Sequence, residues 1–204
     1  MTSALKNLSV VTCALIVCGC GLIDHSSDFG QTPAEMREIQ RTLVPVVKKV
    51  PGTDRETLWK ATEGYMQRAF APTAIRMNDV ARMVIETHLL EVNGEGKPAR
   101  TQVTVQVADD PEVQGGARLG VIAQRIDAQM DFAAARSGKP VPTLWLVRGN
   151  DEAAAEVVAS EIMQRYLMLR AGRDPDVELP APRRIGEVVP ERDPTQPVGV
   201  PPIR

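Results

Sequence analysis

Cysteine, histidine and aromatic residues are scarce in this chain of 204 residues. It has three cysteines and two histidines, and aromatic residues make up 3% of it. The histidines, His25 and His88, stand far apart and form no paired-ligand motif such as H-E-x-x-H, so no metal site and no cofactor is predicted. With so few aromatic side chains, the hydrophobic core is predicted to be mainly aliphatic.

An excess of basic charge is also missing. The 24 lysines and arginines are balanced by 26 acidic residues, which gives a net charge of −2. Proteins that bind nucleic acid usually carry a basic patch or stripe, so no nucleic-acid partner is expected. The hydrophobic share of 43% and the charged share of 25% are ordinary for a globular protein.

Motifs that carry chemistry are missing as well. No serine stands in a G-x-S-x-G or S-x-x-K motif, and Ser137 is followed by the turn residues Gly138 and Lys139. Glu86 is a candidate catalytic acid, but the sequence places no second carboxylate beside it. The sequence therefore predicts no catalytic residue, and we expect that the protein is not an enzyme.

Two further segments have a structural and a functional interpretation. The acidic residues Asp109, Asp110 and Glu112 fit either an ordinary surface loop or a Ca²⁺ site with oxygen ligands. The Gly94–Lys97 segment has glycines and a lysine but lacks the spacing of a phosphate loop, so it is interpreted as a hairpin turn.

The N-terminus has the pattern of a secretory signal. Lys6 supplies a positive charge, and an apolar stretch runs from Leu8 to Val17. The small residue Gly19 then precedes Cys20, as expected before a cleavage site. An uncleaved membrane anchor and a plain secretory signal are the alternatives.

The sequence Val17-Cys18-Gly19-Cys20 resembles the lipobox of bacterial lipoproteins, although Val17 and Cys18 replace the commonest residues. The resemblance implies cleavage between Gly19 and Cys20 and acylation of Cys20. It also implies a partner, the membrane, that holds the protein through lipid. Gly21 is not the aspartate that retains some lipoproteins in the inner membrane, so we expect the outer membrane and its periplasmic face.

Composition divides the chain into four parts. Residues 1–19 are the predicted signal peptide, 20–31 a lipidated tether, and 32–170 a single folded domain. Residues 171–204 hold eight of the 16 prolines and are predicted to be a disordered tail, because proline interrupts helices and central strands.

The domain is predicted to be α+β, with an antiparallel sheet of about four or five strands and two or three helices on one face. Residues 81–90 fit a strand better than a helix, and a change of phase between Ala123 and Ile126 indicates a β-bulge. The pattern over residues 51–107 is a capped helix with Trp59 near its start, followed by hairpin strands. It resembles domains in several envelope lipoproteins, for example the helix-grip domains of one lipoprotein of the outer-membrane barrel assembly machinery. The remaining predicted elements are helices after the capping boxes at 32–35 and 53–56, strands at 46–47, 101–107, 118–130 and 144–147, and a helix capped by Asn150.

Three classes of function follow from these patterns. The first is a non-catalytic envelope lipoprotein with a structural or interaction role, whose partner would be an envelope protein. The residues proposed for contact are Trp59, expected with its indole N–H at a wet margin, and Pro194 and Pro197 of a P-x-x-P segment. The alternatives are a binding protein for a small apolar ligand or lipid, with a cavity lined by Met83, Val103, Val121 or Ile162, and a hydrolase with an unrecognised site.

Overall fold

The computed structural model of the protein describes residues 32–50, 55–94, 97–131, 141–182, 185 and 187–188. Gly19, Cys20, Pro194 and Pro197 lie outside the described residues. Within the described ranges the chain is α+β, as predicted. No helix of these ranges is long and apolar enough to cross a membrane.

Three of the described helices begin at a side-chain cap. The first starts at the predicted capping box, where the Thr32 N–H donates to Glu35 Oε2 at 2.7 Å and the Glu35 N–H donates to Thr32 Oγ1 at 3.3 Å. A 3₁₀ turn at Pro72–Ala74 follows the second helix. The α-helices are α1 (Pro33–Thr42), α2 (Arg55–Ala69), α3 (Glu152–Arg170) and α4 (Pro175–Glu178).

All the described strands belong to one antiparallel sheet of eight strands, larger than predicted. The last strand has only two residues. The strands are β1 (Val46–Val50), β2 (Ile75–Asp79), β3 (Val84–Thr87), β4 (Leu90–Gly94), β5 (Lys97–Asp109), β6 (Ala117–Asp131), β7 (Val141–Asn150) and β8 (Glu187–Val188).

The long hairpin of β5 and β6 is the centre of the sheet. Its register runs one to one from Ala99 opposite Asp127 to Asp109 opposite Ala117. Beside β5 lie β3 at one end and β4 at the other, while β1 and β7 share the outer edge of β6. The sheet therefore has two five-stranded cross-sections, β1-β6-β5-β3-β2 and β7-β6-β5-β4-β8, which share the hairpin.

Helices cover opposite faces of these two sections. Val103 of β5 and Val121 of β6 belong to a large core with α2 and α3. Ile126 belongs to a second, smaller cluster with Ile39 of α1. Because side chains alternate along an unbroken strand, Val121 and Ile126 point to opposite faces. The prediction that the helices lie on one face is thus wrong, since α1 packs on the other.

The predicted bulge in β6 is also wrong. Residues 117–127 pair with β5 without a shift. The change of phase between Ala123 and Ile126 instead marks the place where the face of the sheet that helices cover changes. The irregularity lies in the neighbouring strand, where the register of β7 shifts opposite Arg125 and Ile126. Gly149, with φ of +129°, lies at this shift.

Two polar side chains accept backbone hydrogen bonds of the central hairpin at the place where its flanking strands change. The Val103 N–H, between the parts of β5 that pair with β3 and β4, donates to Thr87 Oγ1 at 3.0 Å. Directly opposite, the Ala123 N–H donates to Asn150 Oδ1 at 2.8 Å. Asn150 is therefore not the helix cap that was predicted. Asp151 caps α3 instead, accepting from the Ala154 N–H at 3.0 Å.

The strand interpretation of residues 81–90 is confirmed for β3 and the start of β4, with a turn before them. No strand is predicted from the sequence at β2, which pairs with β3. Its residues are mixed in polarity because β2 lies at the edge of its section and has no continuous apolar face.

The prediction of a disordered tail from residue 171 is not confirmed over the described residues. Asp174 caps α4 and Pro175 occupies its first turn, where proline is tolerated. Asp176 then accepts a hydrogen bond from Arg165 of α3 and one from Arg68 Nη1 of α2 at 2.8 Å. Arg165 is 6% exposed at its side chain and needs a counter-charge, which fixes this segment to the domain.

We expect Thr87→Val to destabilise the protein by about 1–3 kcal/mol, because a buried N–H that loses its acceptor keeps its full desolvation penalty. Urea unfolding of the variant would measure the loss. Thr73→Val, at an exposed threonine, is the matched control and should change the free energy of unfolding little. Equal effects of the two substitutions would contradict the assigned role of Thr87.

We expect Asp176→Asn to lower the free energy of unfolding by about 2 kcal/mol, because it leaves the buried Arg165 without a counter-ion. The effect is smaller than for a fully buried pair, since the Asp176 side chain is 58% exposed. The control is Glu156→Gln, which breaks a solvent-exposed pair with Lys48 and should change the free energy of unfolding little, because water and salt screen such pairs. Unfolding curves that coincide for the two variants would refute this role of Asp176.

Candidate functional site

Three polar side chains are buried on the face of the sheet opposite α2 and α3. Glu86 of β3 is 4% exposed, Gln102 of β5 is 8% exposed, and Gln124 of β6 is 4% exposed. Gln102 and Gln124 are direct cross-strand partners, and Glu86 is opposite Thr104, two residues further along β5. We call Glu86, Gln102 and Gln124 the polar row.

The Glu86 carboxylate has two donors on the same oxygen. Arg76 Nη1 and Gln102 Nε2 each lie 2.7 Å from Glu86 Oε1. The Gln102 amide also donates to the Thr87 carbonyl oxygen at 3.1 Å. These bonds fix both the carboxylate and the Gln102 amide in one orientation.

Burial dominates the protonation of Glu86. The loss of water around the carboxylate raises the pKa of Glu86, and the charge and hydrogen bond of Arg76 oppose this effect only in part. His88, in the link between β3 and β4, lowers the pKa of Glu86 slightly further. Glu86 is thus a buried acid with one close cation and a second basic residue nearby.

The side chain of Gln124 has an unpaired hydrogen-bond donor. Its Nε2 atom is buried and has no hydrogen-bond partner among the described residues. Most buried polar side-chain atoms in folded proteins are paired, because an unpaired one costs about 1–3 kcal/mol. Within the polar row, the Gln124 amide is therefore the donor that lacks a hydrogen-bond partner among the described residues.

Together these groups form a polar cluster within the sheet. The charges of Glu86 and Arg76 compensate one another, and the two glutamine amides each have a donor and an acceptor end. Arg76 is the more exposed partner, at 27% of its side chain. The arrangement offers hydrogen bonds and little net charge.

The predicted contact residue Trp59 does not lie at a wet margin. It is 5% exposed within the large core, and its Nε1 atom is buried without a partner in the described part of the chain. The reason is that α2 packs flat against the sheet and α3, so that Trp59 faces inward. Trp145 packs against the smaller core, with the Arg100 guanidinium 3.8 Å from the centre of its ring.

The acidic loop uses its carboxylates locally. Asp109 Oδ2 lies 3.0 Å from Arg55 Nη1, and Glu112 Oε2 lies 2.5 Å from Lys49 Nζ. Asp110 Oδ1 accepts a hydrogen bond from the Glu112 N–H at 3.0 Å. Across the ranges that the structure describes, no three metal-ligating side chains gather in one place. The contacts of this loop are those of an ordinary surface turn.

The cavity expected for an apolar ligand is not present beside Val103, Val121 or Ile162. These three side chains have no accessible surface and share one continuous core with α2 and α3. Met83, the fourth residue expected to line the cavity, is half-buried and packs against the same core. A cavity that admits even a water molecule would leave accessible surface on the residues that line it. The sheet–helix interface is therefore fully packed at this place.

The sequence pattern points to Glu86 as a candidate but does not identify Gln102 or Gln124. Glutamines that alternate with valine or alanine in a strand look like ordinary solvent-facing positions. Their burial depends on the second covered face of the sheet, which no local pattern reveals. No protein-family model matches this chain, and no curated protein matches its sequence.

The raised pKa of Glu86 predicts a particular pH dependence. A carboxyl whose pKa is raised by folding stabilises the folded state fully below its ordinary value of 4.5, and this contribution is lost as the pH rises through the raised pKa. The wild type should thus lose stability relative to Glu86→Gln as the pH rises from 4.5. Urea unfolding of both proteins over this range measures the difference.

Glu156→Gln is the matched control, because a hydrogen bond from Lys48 lowers the pKa of Glu156. The stability of the wild type relative to this variant should instead fall toward acid pH. A Glu86→Gln difference that is constant with pH would show that burial does not govern this carboxyl.

Proposed function

We propose that this protein is a lipid-anchored lipoprotein of the bacterial cell envelope with a non-catalytic interaction role. The observation that carries the proposal is the sequence Val17-Cys18-Gly19-Cys20, directly after a charged start and an apolar stretch. Acylation of Cys20 would hold the chain in the membrane, and Gly21 favours the outer membrane and its periplasmic face.

The tether sets how far the domain reaches from the membrane. Residues 21–31 separate Cys20 from Thr32, the residue before α1. Fully extended, such a segment spans at most roughly 40 Å. An anchor of two or more acyl chains is stable on its own, because each buried CH₂ contributes about 0.8 kcal/mol. The domain would therefore work within a short distance of the lipid surface.

Binding suits the polar row better than catalysis does. General acid–base chemistry needs a group that can exchange a proton with the substrate. Glu86 Oε1 already accepts from Arg76 and Gln102, and a guanidinium does not release its proton in proteins. We accordingly assign the row to recognition. The proposal that Pro194 and Pro197 contact an envelope protein stays a prediction.

The anchor is tested with Cys20→Ala and its neighbour Cys18→Ala, expressed as full-length precursors in a bacterial host. Cys20→Ala removes the thiol that would be acylated, so it should take up no fatty-acid probe and should keep its full precursor mass. Cys18→Ala leaves that thiol in place and should be labelled and cleaved normally. In-gel fluorescence of an alkyne fatty acid, together with the mass shift, gives both readouts.

Normal labelling and cleavage of Cys20→Ala would overturn the proposed anchor. Loss of cleavage in both variants would point to a general defect in export and would also count against a specific role for Cys20.

A small-ligand binding protein is the second candidate function, and one specific observation favours it. Gln124 holds a buried amide without a partner, as is expected where a ligand completes the hydrogen bonds. The site would be polar and lie opposite α2 and α3, unlike the apolar cavity expected from the sequence.

A further inference from the structure

We propose that the outer edge of β4 binds an extended segment of a partner protein, which takes the place of β8 and carries a basic residue opposite Glu91. This inference names the kind of partner for the interaction role proposed above and rests on that role, but it concerns the folded domain and not the anchor. It is supported by the open part of the β4 edge, the short length of β8 and the charges at one register position.

Part of the β4 edge is open. The strand runs from Leu90 to Gly94, but β8 pairs only with Leu90 and Glu91. The chain before β8 turns away from this edge, because Ile185 packs against the large core. Within the part of the chain that the structure describes, residues 92–94 therefore have no strand on their outer side.

The direction of the backbone groups shows what this edge offers. The Val103 N–H of β5 points to the side where β3 and β4 lie, since it donates to Thr87. Backbone groups alternate in direction along a strand, so the odd-numbered residues of β5 and their partners in β4 point toward each other. The N–H and C=O groups of Glu91 and Asn93 consequently point outward. Of these two residues, β8 pairs only with Glu91, whereas a longer strand would also pair with Asn93.

The pairing of β8 with β4 is weak. It involves two residues, and Glu187 lies directly opposite Glu91 in the antiparallel register. Like charges at directly opposite positions oppose strand pairing, whereas opposite charges favour it. On the inner side, Arg100 Nη2 lies 3.9 Å from Glu91 Oε1. In the register, Glu91 thus has a cation on one side and a second glutamate on the other.

The edge can be reached from outside without a cavity. The Glu91 side chain is 58% exposed. β8 is the last strand of its sheet section, and no described strand lies beyond it. A partner strand therefore has to displace only the two residues of β8.

The chemistry of the partner follows from the segment that it replaces. β8 adds to the edge as an antiparallel extended segment, which is also how several peptide-binding domains hold their ligands. Main-chain hydrogen bonds supply the affinity in this mode, and alternate side chains supply the selectivity. A lysine or arginine opposite Glu91 replaces a repulsion by an attraction. An apolar residue fits opposite Leu90, because Val188 holds that position in β8.

The test is the fluorescence anisotropy of a labelled peptide added to the mature full-length protein in nanodiscs of zwitterionic phospholipid. The probe is the blocked peptide S-T-T-V-K-V-S, whose lysine would lie opposite Glu91, and the matched control is S-T-T-V-E-V-S. The protein variants are Glu187→Pro, Glu187→Lys and the charge control Glu38→Lys, at an exposed glutamate of α1. Urea unfolding of each variant is measured in parallel.

We expect the wild type to bind the lysine peptide at least about threefold more tightly than the glutamate peptide, with a smaller preference at high salt. Glu187→Pro removes the β8 N–H that pairs with Glu91, so it should raise the affinity for the lysine peptide roughly threefold. Glu187→Lys gives β8 the favourable charge itself and should lower this affinity roughly threefold. Glu38→Lys should leave it unchanged. A purely structural β8 does not produce opposite effects of two substitutions at one position.

Four outcomes would overturn the proposal. If Glu187→Pro binds neither peptide, the edge does not accept a strand. Equal affinities for the two peptides would exclude the role of Glu91, and changes of the same sign in Glu187→Pro and Glu187→Lys would exclude the displacement of β8. Concentration-dependent dimers of Glu187→Pro in sedimentation would assign the edge to a second copy of this chain. The proposed anchor fails separately, through Cys20→Ala labelling, so the two failures are distinguishable.

Discussion

The uninterrupted pairing of β5 with β6 is the constraint on which the rest of the fold depends. Every residue from Ala99 to Asp109 has a partner in β6, so the two strands act as one rigid ribbon. At the pair Val103–Ala123 the flanking strands change on both sides, and Thr87 and Asn150 satisfy the two outward N–H groups. Both sheet sections therefore share this hairpin, and the two apolar cores lie on its opposite faces.

The polar row lies one residue beyond this pair, where the covered face of the ribbon changes. Gln102 and Gln124 are buried there without belonging to either apolar core. Sites that bind a ligand often retain groups that the free protein leaves unpaired, at some expense in stability. The same ribbon that makes the domain stable therefore holds the row in a fixed geometry.

The sequence predicted the elements that depend on local patterns. The capping box at Thr32, the strand at 101–107 and the helix after Asn150 all lie where they were expected. What failed depends on long-range packing. The phase change at Ile126 looked like a bulge because nothing local shows that α1 covers the other face. The residues after 170 were expected to be disordered, because a proline-rich sequence does not show that Asp176 pairs with the buried Arg165. The polar row could not be predicted either, because its burial also depends on long-range packing.

We propose that a lipid on Cys20 holds this domain at a bacterial membrane. Intact-mass spectrometry of the wild-type protein, extracted from the membrane fraction of a bacterial host, tests it most directly. We expect a chain that begins at residue 20 and carries the added mass of a diacylglyceryl group, with or without a further acyl chain. An unmodified chain, or one that keeps residues 1–19, would contradict it.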